Sequence, residues 1–316
     1  MADTVPVERR LLGEDLLAEP VELLELRGAP GPETVLLLGG VHGDEPEGVL
    51  AVRSAVARLA RLALRGTVLA VPVANPSAWA TGRRCSPLDG ANLARCFPGD
   101  PAGGESARLA HVLTEAALSR ATVVVDLHSA GADYAMPLFA GALASGAQGP
   151  ESVATARALG LPLVWEHDAI GPGRTLSAAD ALGIPAVYVE CGGRGAVRGG
   201  DLDACVAGLL RVLARLGMVD AAAAGVASVP PPPLTLAGDD GDVDAGIVSP
   251  VDGWCVVRRE AGEPVAAGEV VAELLEQDGS VHCEVRAPRD GTVAMVRHRA
   301  AIAAGELVCM IGPVAS

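Results

Sequence analysis

The chain has 316 residues, half of them hydrophobic, which is enough for one large core and a small second domain. Its formal net charge of −15 argues against a nucleic-acid partner, because phosphate binding needs a basic surface. No apolar run approaches the ~20 residues that span a bilayer, and no basic-then-apolar leader opens the chain, so we expect a cytoplasmic protein without membrane contact.

The first predicted elements are a strand and a helix joined by a polar turn. Residues 34–41 form a continuous apolar run, which is typical of a parallel strand covered on both faces. Apolar side chains then recur every three or four positions to about residue 64, which predicts a helix with Asp44 as its N-cap and Pro46 in its first turn. Segment 75–99 is rich in Gly, Pro, Asn and Arg, and we predict a loop there.

Strands and helices alternate from there to about residue 217. The patterns predict strands at 67–73, 122–128, 161–166 and 184–190, and helices at 104–119, 175–182 and 201–217. This alternation predicts an α/β fold, an α/β/α sandwich around a mixed, mostly parallel sheet.

The composition divides the chain into three parts. Residues 1–220 are the predicted α/β domain, and 221–244 read as an Ala-, Pro- and Asp-rich linker. Residues 245–316 alternate short β-type runs with Gly-rich turns, which predicts a small, barrel-like all-β module.

Two residue types limit the chemistry of the chain. The Lys+Arg count of 24 is arginine throughout, so no lysine can carry biotin or lipoate or form a Schiff base. The seven cysteines are odd in number and include no CxxC pair, which predicts reduced thiols.

Three of the predicted strands end in residues typical of metal or acid–base sites. The first leads to His42 and Glu45, the second ends in Asp126 and His128, and the third ends in Glu190. Sites in open α/β sheets gather beyond the carboxyl ends of the strands. Two His and one Glu leave a fourth zinc position for water, so we predict one Zn²⁺ per chain at His42, Glu45 and His128. Glu190 is the candidate general base, and Asp126 a partner of His128.

Each of these residues also has an ordinary structural interpretation. HxxE spacing is common by chance, and a carboxylate such as Asp126 or Glu190 often ends a strand without a catalytic role. The convergence of three strand ends is what favours a site.

Four sequence blocks resemble one family. In chain order they are GGVHGDEPEG, NPSAWATGRRCSPLDGANLARCFPG, DLHSAG and VYVECGG, within about residues 34–195. They resemble the succinylglutamate desuccinylase/aspartoacylase family, zinc deacylases related to the M14 carboxypeptidases, and the predicted β module is similar to the biotinyl/lipoyl-like module of that family. The SPLDGANL stretch is most similar to the bacterial branch with N-acetyl-diaminobutyrate deacetylases. The resemblance implies a zinc-carboxypeptidase-like domain that hydrolyses the amide of a small N-acyl amino acid or related amine.

The resemblance also implies residue roles. His42, Glu45 and His128 match the zinc ligands and Glu190 the general base, while Arg84 matches the arginine that polarises the scissile carbonyl and stabilises the oxyanion.

The match is less complete where the family grips the substrate. Arg95 matches an arginine that binds a substrate carboxylate, and Asn92 and Arg83 are further substrate-binding candidates. The family's usual Asp and Asn are Asn92 and Ala94 here, so we expect one carboxylate contact to be missing. The resemblance therefore defines the reaction better than the substrate.

Two alternatives stay open at this point. A zinc carboxypeptidase acting on short peptides needs firm recognition of a terminal carboxylate, and Ala94 counts against it. A non-catalytic binding protein is the other, against which the complete residue set counts. We expect His282 and His298 not to bind zinc, a small molecule as the partner, and possible assembly into a homo-oligomer.

Overall fold

Four parallel strands form the centre of the molecule. In the computed structural model, which describes residues 5–242 and 245–315, they are β3 (Ala29–Gly39), β4 (Arg65–Val71), β5 (Val123–His128) and β8 (Ala186–Gly193), in the order β4-β3-β5-β8. Side chains 35–38 of β3 are at most 1% exposed, as the continuous apolar run predicted for a strand covered on both faces.

Further strands extend this sheet at both edges. Antiparallel β1 (Val7–Leu12) and β2 (Val21–Arg27) add beyond β4, and β6 (Tyr134–Leu143) pairs antiparallel with β8. Two parallel neighbours follow β6, namely β7 (Leu163–His167) and β9 (Leu234–Ala237). The chain therefore has the mixed α/β fold, with a large mixed sheet, that the alternating pattern predicted.

Helices cover both faces of the sheet. They are α1 (Pro46–Leu59), α2 (Pro76–Thr81), α3 (Glu105–Ala116), α4 (Gly149–Ala158), α5 (Thr175–Ala181) and α6 (Gly199–Arg215). One core cluster packs Leu37 with apolar side chains of α1, α4 and α6. A second packs Leu36 and Leu38 with side chains of α3 and α5. Successive residues of β3 thus point to opposite faces, as strand geometry requires.

The C-terminal module continues the large sheet and adds a second one. Strands β10 (Ile247–Val248), β12 (Pro264–Val265), β15 (Gly291–Arg297) and β17 (Leu307–Gly312) join the large sheet, because β15 pairs antiparallel with β6. Strands β11 (Gly253–Val257), β13 (Val270–Leu275), β14 (Val281–Arg286) and β16 (Ala301–Ile302) form a separate four-stranded sheet. Apolar side chains of both sheets share one core cluster. The module's regular elements named here are all strands, as its pattern predicted, while its barrel-like closure stays a prediction.

Several local predictions need correction. Helix α1 has Glu45 rather than Asp44 at its N-cap, without a side-chain cap, and it ends at Leu59 rather than near residue 64. Segment 75–99 is not all loop, because the Asn75 side chain accepts a hydrogen bond from the Ala78 N–H and starts α2.

The domain boundaries stay predictions. Strand β9 lies within residues 221–244, the predicted linker, and its pairing with β7 ties that segment to the large sheet. Residues 1–4, 243–244 and 316 of the predicted parts lie outside the described residues. Across the parts of the chain that are described, no helix is both long and apolar enough to cross a membrane.

Candidate active site

The carboxyl ends of the three central strands deliver the predicted site residues to one edge of the sheet. His42 lies three residues beyond the end of β3, and Glu45 follows at the start of α1. His128 is the last residue of β5 and is the direct register partner of Glu190 on β8. The sheet therefore brings together residues from three segments that lie far apart in sequence.

His42, Glu45 and His128 form a tight buried cluster. One donor atom from each lies within 4.8 Å of the other two. His42 Nδ1 lies 2.7 Å from Glu45 Oε1, and His128 Nδ1 lies 3.1 Å from Glu45 Oε2. Although burial opposes it, the two imidazoles hold the pKa of Glu45 well below its ordinary value, so the carboxylate is charged.

The tautomer of His42 follows from its contact with Asn92. Asn92 Oδ1 accepts the Ala94 N–H at 3.0 Å, which identifies this atom as the oxygen, since a backbone N–H can only donate. The same oxygen lies 3.0 Å from His42 Nε2, so Nε2 must carry the proton. Burial lowers the pKa of His42, which keeps the ring neutral. Its Nδ1 lone pair is then directed at the cluster.

His128 is oriented by a carboxylate. Its Nε2 lies 3.1 Å from Asp126 Oδ2, the contact that the strand-end pattern predicted. Burial alone would lower the pKa of His128, but Asp126 and Glu45 hold it well above its ordinary value. In the charged form that this pKa favours, His128 Nδ1 carries a proton toward Glu45, in the space where a cation could bind.

The cluster fits a zinc ion. His42 Nδ1 is buried and has no hydrogen-bond partner among the described residues, because its close contact with Glu45 is not aligned as a hydrogen bond. Two imidazole nitrogens and one carboxylate are a donor set typical of catalytic zinc sites. A partner behind each imidazole, Asn92 for His42 and Asp126 for His128, is the usual arrangement around such ligands.

Glu190 lies beside the cluster in an environment that favours its neutral form. Burial raises the pKa of Glu190, while His128 opposes the rise and Glu45 adds to it. Its Oε2 is buried without a hydrogen-bond partner among the described residues. A carboxylate with a raised pKa and an unused oxygen is suited to accept and return a proton.

Arg84 and Arg83 are both exposed, but they differ in what they contact. Arg84 Nη1 donates to Glu45 Oε1 at 2.9 Å, and its side chain lines the cavity in front of the cluster. Arg83 is exposed and is not among the described residues that line the cavity, although its carbonyl accepts the Gly43 N–H. The geometry therefore places Arg84 near the cluster and leaves Arg83 at the surface.

Arg95 and Arg174 lie at the same carboxylate group. Arg174 Nη2 donates to Asp242 at 2.8 Å, and Arg95 Nη2 lies 3.6 Å from the same oxygen. Gly173, with φ +80°, makes this pairing possible, because a Cβ there would lie 2.3 Å from the Arg95 carbonyl oxygen. Two guanidinium groups around one carboxylate are a geometry that also suits a substrate carboxylate. Asn92 contacts His42 rather than the cavity, and Ala94 brings only a methyl group to the cavity wall.

The cluster, Glu190, Arg84, Arg95 and Arg174 line one cavity of about 480 Å³. The C-terminal module supplies part of its wall through Met295, Leu307 and Met310. Met295 and Met310 also pack with Phe139 and Trp165 in a core cluster shared by the two parts of the chain. The module thus shapes the cavity of its own chain.

Several cavity residues were not predicted from the sequence. Arg174 follows a Gly-Pro-Gly turn that gave no chemical signal, and the module residues depend on a distant strand pairing. Tyr188 could have been found, because side chains two apart on a strand share a face and Glu190 was already a candidate. His167 ends β7 and hydrogen-bonds Tyr188, at 2.8 Å between Nε2 and the hydroxyl oxygen.

The fold and the cluster define a class, namely α/β proteins with a two-His, one-Glu candidate metal site at the carboxyl edge of the sheet. The model of the succinylglutamate desuccinylase/aspartoacylase catalytic domain matches residues 31–216. The chain belongs to this family, and the resemblance carried by the four sequence blocks is confirmed.

Individual relatives cover nearly the whole chain. The N-alpha-acetyl-L-2,4-diaminobutyric acid deacetylase of Halomonas elongata is 34% identical over 291 residues, covering 90% of this chain and 83% of that protein. A succinylglutamate desuccinylase structure from Silicibacter sp. TM1040 has a TM-score of 0.87 at 27% identity, covering 100% of this chain and 97% of that one. The product-bound ectoine utilization protein of Ruegeria pomeroyi has a TM-score of 0.85 at 28% identity, covering 98% of this chain and 96% of that one. Both parts of the chain therefore have counterparts in solved structures.

Proposed function

We propose that the protein is a zinc-dependent deacylase that hydrolyses the amide bond of a small N-acyl amino acid or related N-acyl amine. One observation carries the proposal. The buried cluster of His42, Glu45 and His128 lines one cavity together with Glu190 and Arg84. The names of the relatives, a deacetylase and a desuccinylase, support the same reaction class.

His42 Nδ1, Glu45 and His128 Nδ1 would hold the zinc ion. Bound zinc activates water and polarises a carbonyl at such sites. The fixed tautomer of His42 and the charged state of Glu45 prepare two of the three donors before the metal binds. Loss of the proton near His128 completes the set.

Glu190 moves the proton in the proposed reaction. Its carboxylate accepts a proton from the attacking water and delivers it to the leaving nitrogen, which departs as an amine. A cation at the cluster would oppose the raised pKa of Glu190 and favour its charged form, which accepts the water proton. The leaving amine is the stronger base, so it then takes the proton from Glu190. The unused Oε2 is the atom available for both transfers.

Arg84 stabilises the developing negative charge. It contacts Glu45 at 2.9 Å, and its side chain is still 43% exposed toward the cavity. Once Glu45 binds a metal ion, the guanidinium can turn its N–H groups to the oxygen of the scissile carbonyl.

Arg95 and Arg174 bind the carboxylate of the amino-acid part. Their present partner, Asp242, shows that the two groups can share one carboxylate oxygen. The Halomonas relative acts on N-alpha-acetyl-L-2,4-diaminobutyric acid, so an N-acetyl diamino acid is the first substrate to test.

A substrate panel tests the proposed function. Zinc-loaded protein is incubated with N-acetyl, N-formyl and N-succinyl amino acids and with dipeptides, and release of the free amine is measured. Hydrolysis of N-acyl amino acids is the expected result. Hydrolysis of dipeptides alone would favour the carboxypeptidase alternative, and no hydrolysis together with no zinc binding would favour a binding protein.

A further inference from the structure

Tyr188 is a polar cavity residue that the proposed reaction does not use. It lies two residues before Glu190 on β8, so both side chains point to the same face of the sheet, about 7 Å apart along the strand. Both line the cavity. Tyr188 therefore shares the cavity with the proposed general base.

The Tyr188 hydroxyl is held by His167, which is fully buried. Burial lowers the pKa of His167 to about 4, so the ring is neutral and carries a single N–H. Its Nδ1 is buried and has no hydrogen-bond partner among the described residues. In one tautomer of the ring Nε2 accepts the Tyr188 O–H, and in the other the Nε2–H donates to the hydroxyl oxygen.

This arrangement fixes what Tyr188 offers to a ligand. A hydroxyl oxygen has two lone pairs, so in either tautomer of His167 at least one lone pair of the Tyr188 oxygen is left for an N–H donor in the cavity. Asp240 lines the same cavity and is close enough to His167 to raise the pKa of that ring. Trp165 and Phe139 add aromatic rings, the latter with its centroid 5.6 Å from that of Tyr188.

A hydroxyl acceptor, a carboxylate and aromatic rings together are the groups that bind an ammonium ion. We propose that Tyr188 and Asp240 are specificity-determining residues that receive the side-chain ammonium of an N-acyl diamino acid. The proposal rests on the proposed deacylase function and specifies its substrate class. The amino-acid part of the substrate then has two neighbouring anchors of opposite charge. Its carboxylate binds Arg95 and Arg174, and its ammonium binds Tyr188 and Asp240, whose carboxylate offsets the charge of the nearby Arg174.

Two substrates that differ only in this ammonium group test the inference. They are N-alpha-acetyl-2,4-diaminobutyrate, which has a free side-chain amine, and N-alpha-acetyl-2-aminobutyrate, which lacks it. The ratio kcat/KM is measured for each with the zinc-loaded full chain. We expect the wild type to prefer the diamino acid by about tenfold or more, because a hydrogen-bonded charge is lost with the other compound. Tyr188→Phe and Asp240→Asn should each reduce this preference severalfold, mainly through KM.

Asp239→Asn is the matched control. Asp239 is the neighbouring carboxylate, but its side chain pairs with Arg289 instead of lining the cavity, so the preference should stay at the wild-type value. Asp240 is exposed, so its variant keeps the test valid even if Tyr188→Phe unfolds.

The outcomes distinguish a failure of the proposed deacylase function from a failure of the ammonium site. Hydrolysis of neither compound by the zinc-loaded wild type would count against the proposed function itself. Hydrolysis of both without a preference, or a preference that Tyr188→Phe and Asp240→Asn leave intact, would overturn only the ammonium site.

Discussion

Asn92 Oδ1 and His42 Nε2 lie 3.0 Å apart, and this contact fixes the tautomer of His42 in the candidate metal site. The family resemblance predicted Asn92 as a substrate-binding residue, but its carboxamide is turned toward the imidazole. His128 has a carboxylate, Asp126, in the equivalent position. The two imidazoles thus differ in their partners, because Asn92 is a neutral amide and Asp126 is a carboxylate.

Removing the Asn92 carboxamide should weaken zinc binding. In Asn92→Ala, His42 can rotate or change tautomer, and we expect a loss of about 10–100-fold in zinc affinity. Competition with a chromogenic chelator measures this. Asn92→Asp keeps an acceptor for Nε2 and should bind zinc at least as tightly as the wild type. Wild-type affinity in Asn92→Ala would show that the contact has no role in holding the metal.

Glu190→Gln should separate chemistry from metal binding. The amide keeps the size of the side chain but cannot accept the proton, so kcat should fall by about 10²–10⁴-fold or more. Zinc content, measured by atomic absorption, should stay at the wild-type level because Glu190 is outside the cluster. A variant with near-normal turnover would remove Glu190 from the mechanism.

The two adjacent arginines should respond differently to substitution. Arg84→Ala removes the donor to the developing oxyanion, and we expect kcat to fall by about 10²–10³-fold. Arg83→Ala should change kcat/KM little, because its side chain is exposed and outside the cavity lining. Steady-state kinetics measure kcat and KM of both variants. An equal loss of kcat/KM in the two variants would contradict the placement of Arg84.

His167 should make the fold sensitive to acid. Its pKa is about 4 in the folded protein and about 6.5 when unfolded, so the unfolded state binds more protons between these values. Stability therefore rises with pH in this window and is lost as pH falls through it, by about 2 kcal/mol between pH 6.5 and 5.

The variant His167→Gln isolates this contribution. Melting temperatures of the two proteins are compared from pH 7 to pH 5, where other groups titrate equally in both. The melting temperature of the wild type should fall further than that of the variant over this range. Parallel losses would mean that His167 is charged in the fold or titrates near its ordinary value.

Some elements carried enough local signal to be predicted. The apolar run of β3 and the apolar face of α1 each follow from a pattern within a few residues. Strand β6 gave no such signal, because Pro137 interrupts it and its burial does not alternate. Its place is set by pairing with distant β8 and β15, which a local pattern cannot encode.

The site residues also divide into those that the sequence could predict and those whose position depends on tertiary contacts. His42, His128 and Glu190 were predictable as a group because parallel strands align their carboxyl ends whatever the details of packing. The position of Arg174 depends on the close approach of Gly173 to the Arg95 backbone, which is a tertiary contact. The orientation of Asn92 depends on the turn that it caps at Ala94, so the residue could be named from the sequence but its partner could not.

The most direct test of the account is a zinc titration of the deacylase activity of chelator-treated protein. Acetate release from N-acetyl-2,4-diaminobutyrate should be absent in the metal-free protein and should rise linearly to a plateau at one zinc ion per chain. Release that is unchanged by removal of the metal, or that never appears at any zinc concentration, would contradict the assignment of a zinc deacylase.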